Sequence, residues 1–313
     1  MSGGSNRAVL TLSSFHIRSA TGEDLPDLFR ITLDGLEGEA LASRVRPSDA
    51  HSFHTHALKH GKIRVAEIDG SIAGYGTVIE RDGTRILSQL FVTPDRRSSG
   101  IGSALLDDLL DGTDADLGLL ASDDPRAISL YARRGFRPMW PHYEIGLLAD
   151  RLAALGASEL DVLPDPDHDE LARLDKAVSG RNRPEDLRYW LNQTGGTPYL
   201  LSSGERKVGY GWIHDPLCGK MANWYESDAP LKLGPIGAVA AGYARACVLA
   251  MANLAQHTYP GRGISIEIGG SHPALSDLLR AGGRIHDAEI AMWTDAARFG
   301  LPQLYLPSGG ILL

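Results

Sequence analysis

The sequence predicts an α/β protein made of two similar halves. Strand-like apolar runs alternate with amphipathic helical stretches over residues 16 to 150, and a fainter series of the same elements follows. The chain of 313 residues also exceeds what one hydrophobic core ordinarily serves. The expected organisation is a flexible leader over 1–15, a first domain over 16–155, a second over 156–297 and a tail over 298–313.

The first half reads as follows. Ile17 to Ser19 starts a strand, and Thr21-Gly22-Glu23-Asp24 caps a helix whose apolar side is Leu25, Leu28, Phe29 and Ile31 to Leu33. Ile63 to Glu67 and Ile72 to Glu80 flank Asp69-Gly70, a two-residue hairpin signal. A second turn at Arg81-Asp82-Gly83 leads into a strand over Ile86 to Val92. The helix that follows carries Leu105, Leu106, Leu109 and Leu110 on one side and Asp107, Asp108 and Asp111 on the other, so it lies on a sheet. Leu117 to Ala121 and Tyr143 to Leu148 are the later strands.

The second half is a worn copy. Leu160-Asp161-Val162 and Asp165 to Leu171 repeat the first strand and helix cap, and Ile264 to Ile268 repeats a later strand. Ala274 to Arg284 matches Ala127 to Arg137 position for position, with Leu278 in place of Tyr131 and Gly283 in place of Phe136. The tail from Phe299, broken by Pro302 and Pro307, is expected to pack extended against the body or a second subunit.

Composition narrows the class. Cys218 and Cys247 are too few for a disulfide framework or a cysteine-rich metal site, which points to a reducing, cytoplasmic setting. The leader lacks a signal-peptide pattern. Ile236 to Ala255 contains Arg245 and many small residues, so it reads as a half-buried soluble helix and no membrane span is expected. A formal charge of -8 disfavours nucleic acid and mildly favours a cationic small substrate.

The most informative stretch is Arg97-Ser98-Ser99-Gly100-Ile101-Gly102, between the strand ending at Val92 and the helix from Ser103. Two glycines let the backbone approach a ligand, the free N–H groups of the helix start point at it, and partial positive charge favours phosphate. Arg97 adds a full charge. A Rossmann loop fits poorly because the third glycine position is Leu105, and no Gly-Lys-Ser/Thr triplet supports a Walker loop.

With Leu90 to Asp95 before it, this stretch resembles the acyl-CoA pyrophosphate loop, Arg/Gln-x-x-Gly-x-Gly/Ala, of the GNAT superfamily of N-acetyltransferases. The family's second signature, a helix of the form Asn-x-x-Ala-x-x-x-Tyr-x-x-x-Gly-Phe, is matched by Asp124 to Phe136, with Asp124 standing where asparagine is usual. The resemblance covers residues 15 to 150. It implies two tandem GNAT-like domains, each a mixed, mainly antiparallel sheet flanked by helices, the second degenerate. Acetyl-CoA is the implied acyl donor, held by Leu90, Phe91, Val92, Arg97, Ser98, Ser99, Gly100, Ile101, Gly102, Ser103, Asp124, Ala127 and Tyr131. The family's strand donors for the thioester carbonyl fall around Phe91 and Val92, and its tyrosine general acid falls on Tyr131.

Transfer to an amine needs that amine neutral, and an alkylammonium has a pKa near ~10.4. Glu80, at the end of the third strand, is the candidate base. His51, His54, His56 and His60 form a second set; His56 and His60 share a helix face, but Asp49 is the only carboxylate nearby, so no metal is expected and one of these rings could be the base. The acceptor pocket is expected from Leu33 to Gly61 and from the second domain. There Trp190, Trp212, Trp224 and Tyr225 read as core or interface residues, and Arg181, Asn182 and Arg183 as cleft lining or surface. The pyrophosphate loop's place in the second half is assigned to Gly234 to Ala238, which has no arginine. The expected activity is acetylation of a small primary amine in the first domain by direct attack, in a monomer or homodimer. The alternatives are a non-catalytic acyl-CoA-binding or regulatory module, and an O-acyl or longer-acyl transferase.

Overall fold

The computed structural model describes residues 14–36, 51–112, 114–219, 228–295, 303–308 and 312. The first half runs β1 (His16–Ser19), α1 (Leu25–Leu36), α2 (Ser52–His60), β2 (Lys62–Ile68), β3 (Ser71–Arg81), β4 (Thr84–Val92), α3 (Ile101–Leu110), β5 (Asp116–Ser122), α4 (Pro125–Ala132) and β6 (Arg137–Leu147). Both hairpins turn on Asp-Gly pairs with positive φ at each residue, Asp69-Gly70 and Asp82-Gly83. That is the turn whose twist matches paired strands. Asp24 closes a capping box with Thr21 and is clamped by Arg18 through two bonds of 2.8 Å.

The second half repeats this order: β7 (Asp161–Pro164), α5 (His168–Ser179), α6 (Pro184–Gln193), β8 (Gly196–Ser203), β9 (Arg206–His214), β10 (Leu231–Ala238), α7 (Ala241–Thr258), β11 (Ile264–Gly269), α8 (Leu275–Arg280) and β12 (Arg284–Trp293). The stretch Ile236 to Ala255 is therefore split between a strand end and a helix, and no described helix is long and apolar enough to cross a membrane. The repeat extends to a Gly-Tyr-Gly triplet in β3 and β9. A Cβ on Gly76 would strike Leu109 of α3, and one on Gly211 would come within 2.6 Å of Met251 in α7. Both helices thus sit close on the strand below.

All strands join one sheet, in the order β1-β2-β3-β4-β5-β12-β6-β11-β10-β9-β8-β7. The order is palindromic, and the halves exchange their last strands. β12 of the second half pairs antiparallel with β5, Glu289 opposite Ser122 and Trp293 opposite Gly118, while β6 of the first half pairs with β11, Glu144 opposite Glu267. β6 and β12 pair with each other along the centre. Trp293 shows how close the exchange is, since a Cβ on Gly118 would fall on its ring.

The expectation of separate cores is corrected in the same way. One cluster combines Leu25, Leu28, Phe53 and Ile79 of the first half with Leu171, Leu187, Trp190 and Trp212 of the second. Polar contacts cross there as well: His56 Nε2 and Arg81 Nη2 each lie 2.8 Å from Asp186 Oδ1, and Ser52 and Tyr189 share a hydrogen bond of 3.0 Å.

Arg183 neither lines a cleft nor faces water. It is buried, forks onto Asp175 with two bonds of 2.8 Å and donates to the Tyr305 hydroxyl at 2.7 Å, while Tyr210 donates to Asp175 at 2.6 Å. Tyr305 belongs to β13 (Tyr305–Leu306), where the tail packs extended against the body. Trp190 and Trp212 are core residues; Trp224 and Tyr225 lie outside the described residues, as do Asp49 and most of the leader.

Candidate active site

The loop between β4 and α3 has the backbone of an anion cradle. Ser98 (φ 65) and Gly100 (φ 88) both take the left-handed conformation, which turns successive N–H groups inward. Gly100 caps α3 without a side-chain hydrogen bond, and the first helical bond runs from Ala104 N–H to Gly100 O at 3.0 Å. The N–H groups of Ile101, Gly102 and Ser103 precede that bond and point out of the helix end. Ser99 Oγ donates to Arg96 O and fixes the turn, and the Ser103 hydroxyl accepts from Arg134, which also clamps Asp107. Arg97 is exposed at the entrance, close enough to Asp124 to help hold its carboxyl low.

Among the described residues, β4 has an open edge beside this cradle. It pairs in parallel with β5 only from Thr84 to Leu87, against Asp116 to Leu119. A bulge falls at Ser88, between the pairs Val78–Leu87 and Thr77–Gln89, and the two strands part beyond it. Thr93 N–H bonds Ala73 O at 3.0 Å, so the alternation of an antiparallel ladder turns the main chain of Phe91 to β3 and that of Leu90 and Val92 to the gap. This corrects the pairing of Phe91 with Val92 as carbonyl donors. The Phe91 side chain instead faces Tyr75, with ring centroids 5.8 Å apart.

The second half contains the same gap with a strand in it. β10 and β11 pair in parallel only at Leu231 to Leu233, and β10 bulges between Leu233 and Ile236. Past the bulge, Ile236 pairs with Leu306 of the tail, and Ala238 N–H bonds Leu304 O at 2.9 Å. Tyr75 pairs with Phe91 and Tyr210 with Gly237, so Ile236 and Ala238 are the counterparts of Leu90 and Val92. Gly234 to Ala238 is therefore strand rather than the phosphate loop's replacement. Only Val239 and Ala240 join β10 to α7, leaving no room for such a loop.

On α4, Asp124 is the N-cap, accepting from Arg126 N–H at 2.8 Å and pairing with the Arg126 guanidinium at 2.8 Å. The arginine holds its carboxyl below the ordinary range, so it is an acceptor only. Ala127 lies partly buried against the cluster of Leu106, Leu119, Phe136 and Met292, which also surrounds Tyr131. Burial, and then the negative charge of Glu289, push the Tyr131 hydroxyl up to about 12, so it keeps its proton at neutral pH.

The structure does not bring Glu80 to this place. Glu80 lies opposite Arg85 at the turn end of the hairpin, half exposed and paired with it at 2.7 Å, beside the closed part of the β4–β5 ladder. The gap opens at the other end, which reading the strand end alone misplaced. Of the histidines, His56 is taken up by Asp186, and His54 lies fully buried with Nε2 at 3.1 Å from Gln89 Oε1 and 3.2 Å from the Tyr75 hydroxyl. Burial, aided by His51, pushes His54 down to about 3. Proton transfer to it from an alkylammonium near ~10.4 is strongly uphill. Residues 37–50 of the expected acceptor loop lie outside the described residues. The sequence did not signal Glu289, which only the strand exchange brings beside β5; burial, then Glu267, Asp287 and Glu144, push its carboxyl up to about 8.

A helix-start anion cradle, a strand edge opened by a bulge and a buried, protonated tyrosine on α4 are together the arrangement of an acyltransferase fold. The sequence signature of the acetyltransferase (GNAT) domain matches residues 59–138, which include all three. An uncharacterized N-acetyltransferase of Archaeoglobus fulgidus is 30% identical over 104 residues, 30% of this chain and 71% of the relative. The chain belongs to the GNAT family of acetyltransferases. Among solved structures, a protein of Pyrococcus horikoshii designated an acetyltransferase superposes with a TM-score of 0.69 at 18% identity, over 96% of this chain and 94% of that one. The tandem GNAT protein of the clavulanic acid biosynthesis pathway gives 0.60 at 16%, over 90% and 98%. At such identities the likeness speaks for the fold, and the fold is that of a tandem GNAT protein.

Proposed function

We propose that the protein transfers an acetyl group from acetyl-CoA to the primary amine of a small molecule, with the chemistry in the first half and one acetyl-CoA bound per chain. The observation that carries this reading is the contrast between the two gaps: the one at Leu90 and Val92 has no strand in it among the described residues, and its counterpart at Ile236 and Ala238 is filled by the tail. The pantetheine arm is extended and carries amides, so it can bond a strand edge as Leu304 to Leu306 does. Acetyl-CoA supplies the activated acyl carbonyl. The N–H groups of the cradle and Arg97 would hold its pyrophosphate, and the Leu90 and Val92 main chain its arm and thioester. Asp124 would cap α4 rather than donate to the arm.

Tyr131 would act as general acid. A phenol near 12 holds its proton until sulfur becomes anionic, then donates to the departing thiolate. Tyr131→Phe is expected to cut turnover by roughly tenfold or more, with acetyl-CoA affinity nearly intact, as read by thiol release and by titration calorimetry. Unchanged turnover would count against the role. For the activity itself, wild-type protein is assayed for thiol release from acetyl-CoA against a panel of small primary amines, with calorimetry for stoichiometry. Acceptor-stimulated release and one site per chain are expected; release that no acceptor stimulates, or two sites, would overturn the reading.

A further inference from the structure

We infer that Glu289, lent to the first half by the exchanged strand β12, is the general base that takes the proton from the acceptor's ammonium group. The inference rests on the amine-acetylation reading above. Its first support is position. Glu289 stands opposite Ser122, at the end of β5 that has parted from β4, one strand across from the gap that Leu90 and Val92 edge. It is also close enough to Tyr131 to raise that hydroxyl's affinity for its proton.

The second support is that Glu289 is available. Its three neighbouring carboxylates are all engaged: on the adjacent strands β11 and β6, Glu267 with His142 at 3.1 Å and Glu144 with the Ser265 hydroxyl at 2.6 Å. Asp287, on β12 itself, accepts from the Ala288 N–H at 2.8 Å. Glu289 has no hydrogen-bond or ion-pair partner among the described residues, and it is half-buried rather than sealed. The groups that face it are Tyr131 from α4, Ser122 from β5, His142 and Glu144 from β6, and Glu267 from β11, with Asp287 on its own strand. No cation among them neutralises it, which suits a carboxyl basic enough to deprotonate an ammonium.

The asymmetry of the two halves agrees. The match of Arg137 with Arg284 makes His142 the counterpart of Glu289, and the two stand opposite each other on β6 and β12. The half whose gap is filled by the tail receives a histidine already bonded to Glu267. The half with the open gap receives the unpaired carboxylate.

The step balances as follows. The Glu289 carboxylate takes one proton from R-NH3+. The neutral amine attacks the acetyl carbonyl, the C–N bond forms, and the C–S bond breaks with its electron pair going to sulfur. Tyr131 gives its proton to that thiolate and is reprotonated by the second proton leaving nitrogen. Glu289 later releases its proton to water.

The test uses Glu289→Gln in the full chain with two acceptors: propylamine, an ammonium at neutral pH, and hydroxylamine, which is already neutral there. For propylamine the variant is expected to lose about 100-fold in kcat at pH 7, and to recover as pH rises toward the amine's own pKa, whereas wild type levels off above pH 8. For hydroxylamine the loss is expected to be under about fivefold. Equal losses for both acceptors, or a variant with the wild-type pH profile, would overturn the assignment. A second arm needs no acceptor. A carboxyl raised in the folded state is protonated there while the unfolded chain is already ionised, so wild type loses stability between the ordinary glutamate pKa and about 8. The variant's Tm advantage should therefore grow from pH 5 to pH 8, and a constant difference would overturn the assignment. If wild type acetylates neither propylamine nor any amine of the panel, the parent reading fails, and this second arm still judges Glu289.

Discussion

Gly102→Leu is expected to weaken acetyl-CoA binding by more than about 100-fold, beyond ~2.7 kcal/mol, while changing stability by no more than about 0.5 kcal/mol. The asymmetry follows from what the position touches. A Cβ there would meet only Val92 Cγ2, at 3.6 Å, an ordinary contact. The residue lies within the first turn of α3, where any side chain is compatible with the backbone. A leucine would therefore leave the fold alone and occupy the space into which the N–H groups of the helix end point. Gly100 makes a poorer test, because its φ of 88 would strain any replacement and confuse folding with binding. Calorimetric titration with acetyl-CoA beside a thermal melt reads both quantities. One acetyl-CoA still bound per chain would place the cofactor in the other half.

Asp175→Ala is expected to destabilise the protein by about 3 to 5 kcal/mol, the usual result of leaving a buried charge unpaired. Arg183 and Asp175 are each 1% exposed and meet through two bonds of 2.8 Å. Burial alone opposes the arginine's charge, and Asp175, followed by Tyr305, is what keeps it protonated. Removing the carboxylate also leaves the Tyr210 hydroxyl without its acceptor. A drop in Tm on the order of 10 °C is expected from a thermal melt; a drop of a degree or two would mean that Arg183 finds water or another partner. The variant also bears on the tail, because Arg183 is the donor that holds the Tyr305 hydroxyl.

What the sequence made legible was what neighbours in sequence decide. The Asp-Gly hairpins, the Asp124 cap, the glycine cradle and the amphipathic α3 are all set within a few residues, and they stand where they were expected. What it hid was set by pairing at long range. Glu289 opposite Ser122 is decided by a strand crossing between halves, and no periodicity in β12 announces which sheet edge it will take. Glu80 was misplaced because a strand has two ends and only the bulge at Ser88 shows which one opens. The histidine run offered a candidate base. The burial of His56 comes from α6, through Asp186 and Tyr189, far away in sequence. The second half was more legible than the reading that used it, since the Gly-Tyr-Gly repeat of β3 and β9 aligns the two gaps and would have placed Gly234 to Ala238 on a strand.

The exchanged strands also bear on how such a chain survives duplication. A spare copy that folds by itself can lose its chemistry and then be lost altogether. Here each copy completes the other's sheet, so a deletion that removes one half strips a central strand from its sibling. β12 and the shared core tie the second half to the first whatever site it keeps of its own. Selection on a reaction in either half then maintains both units, each as part of its neighbour's architecture.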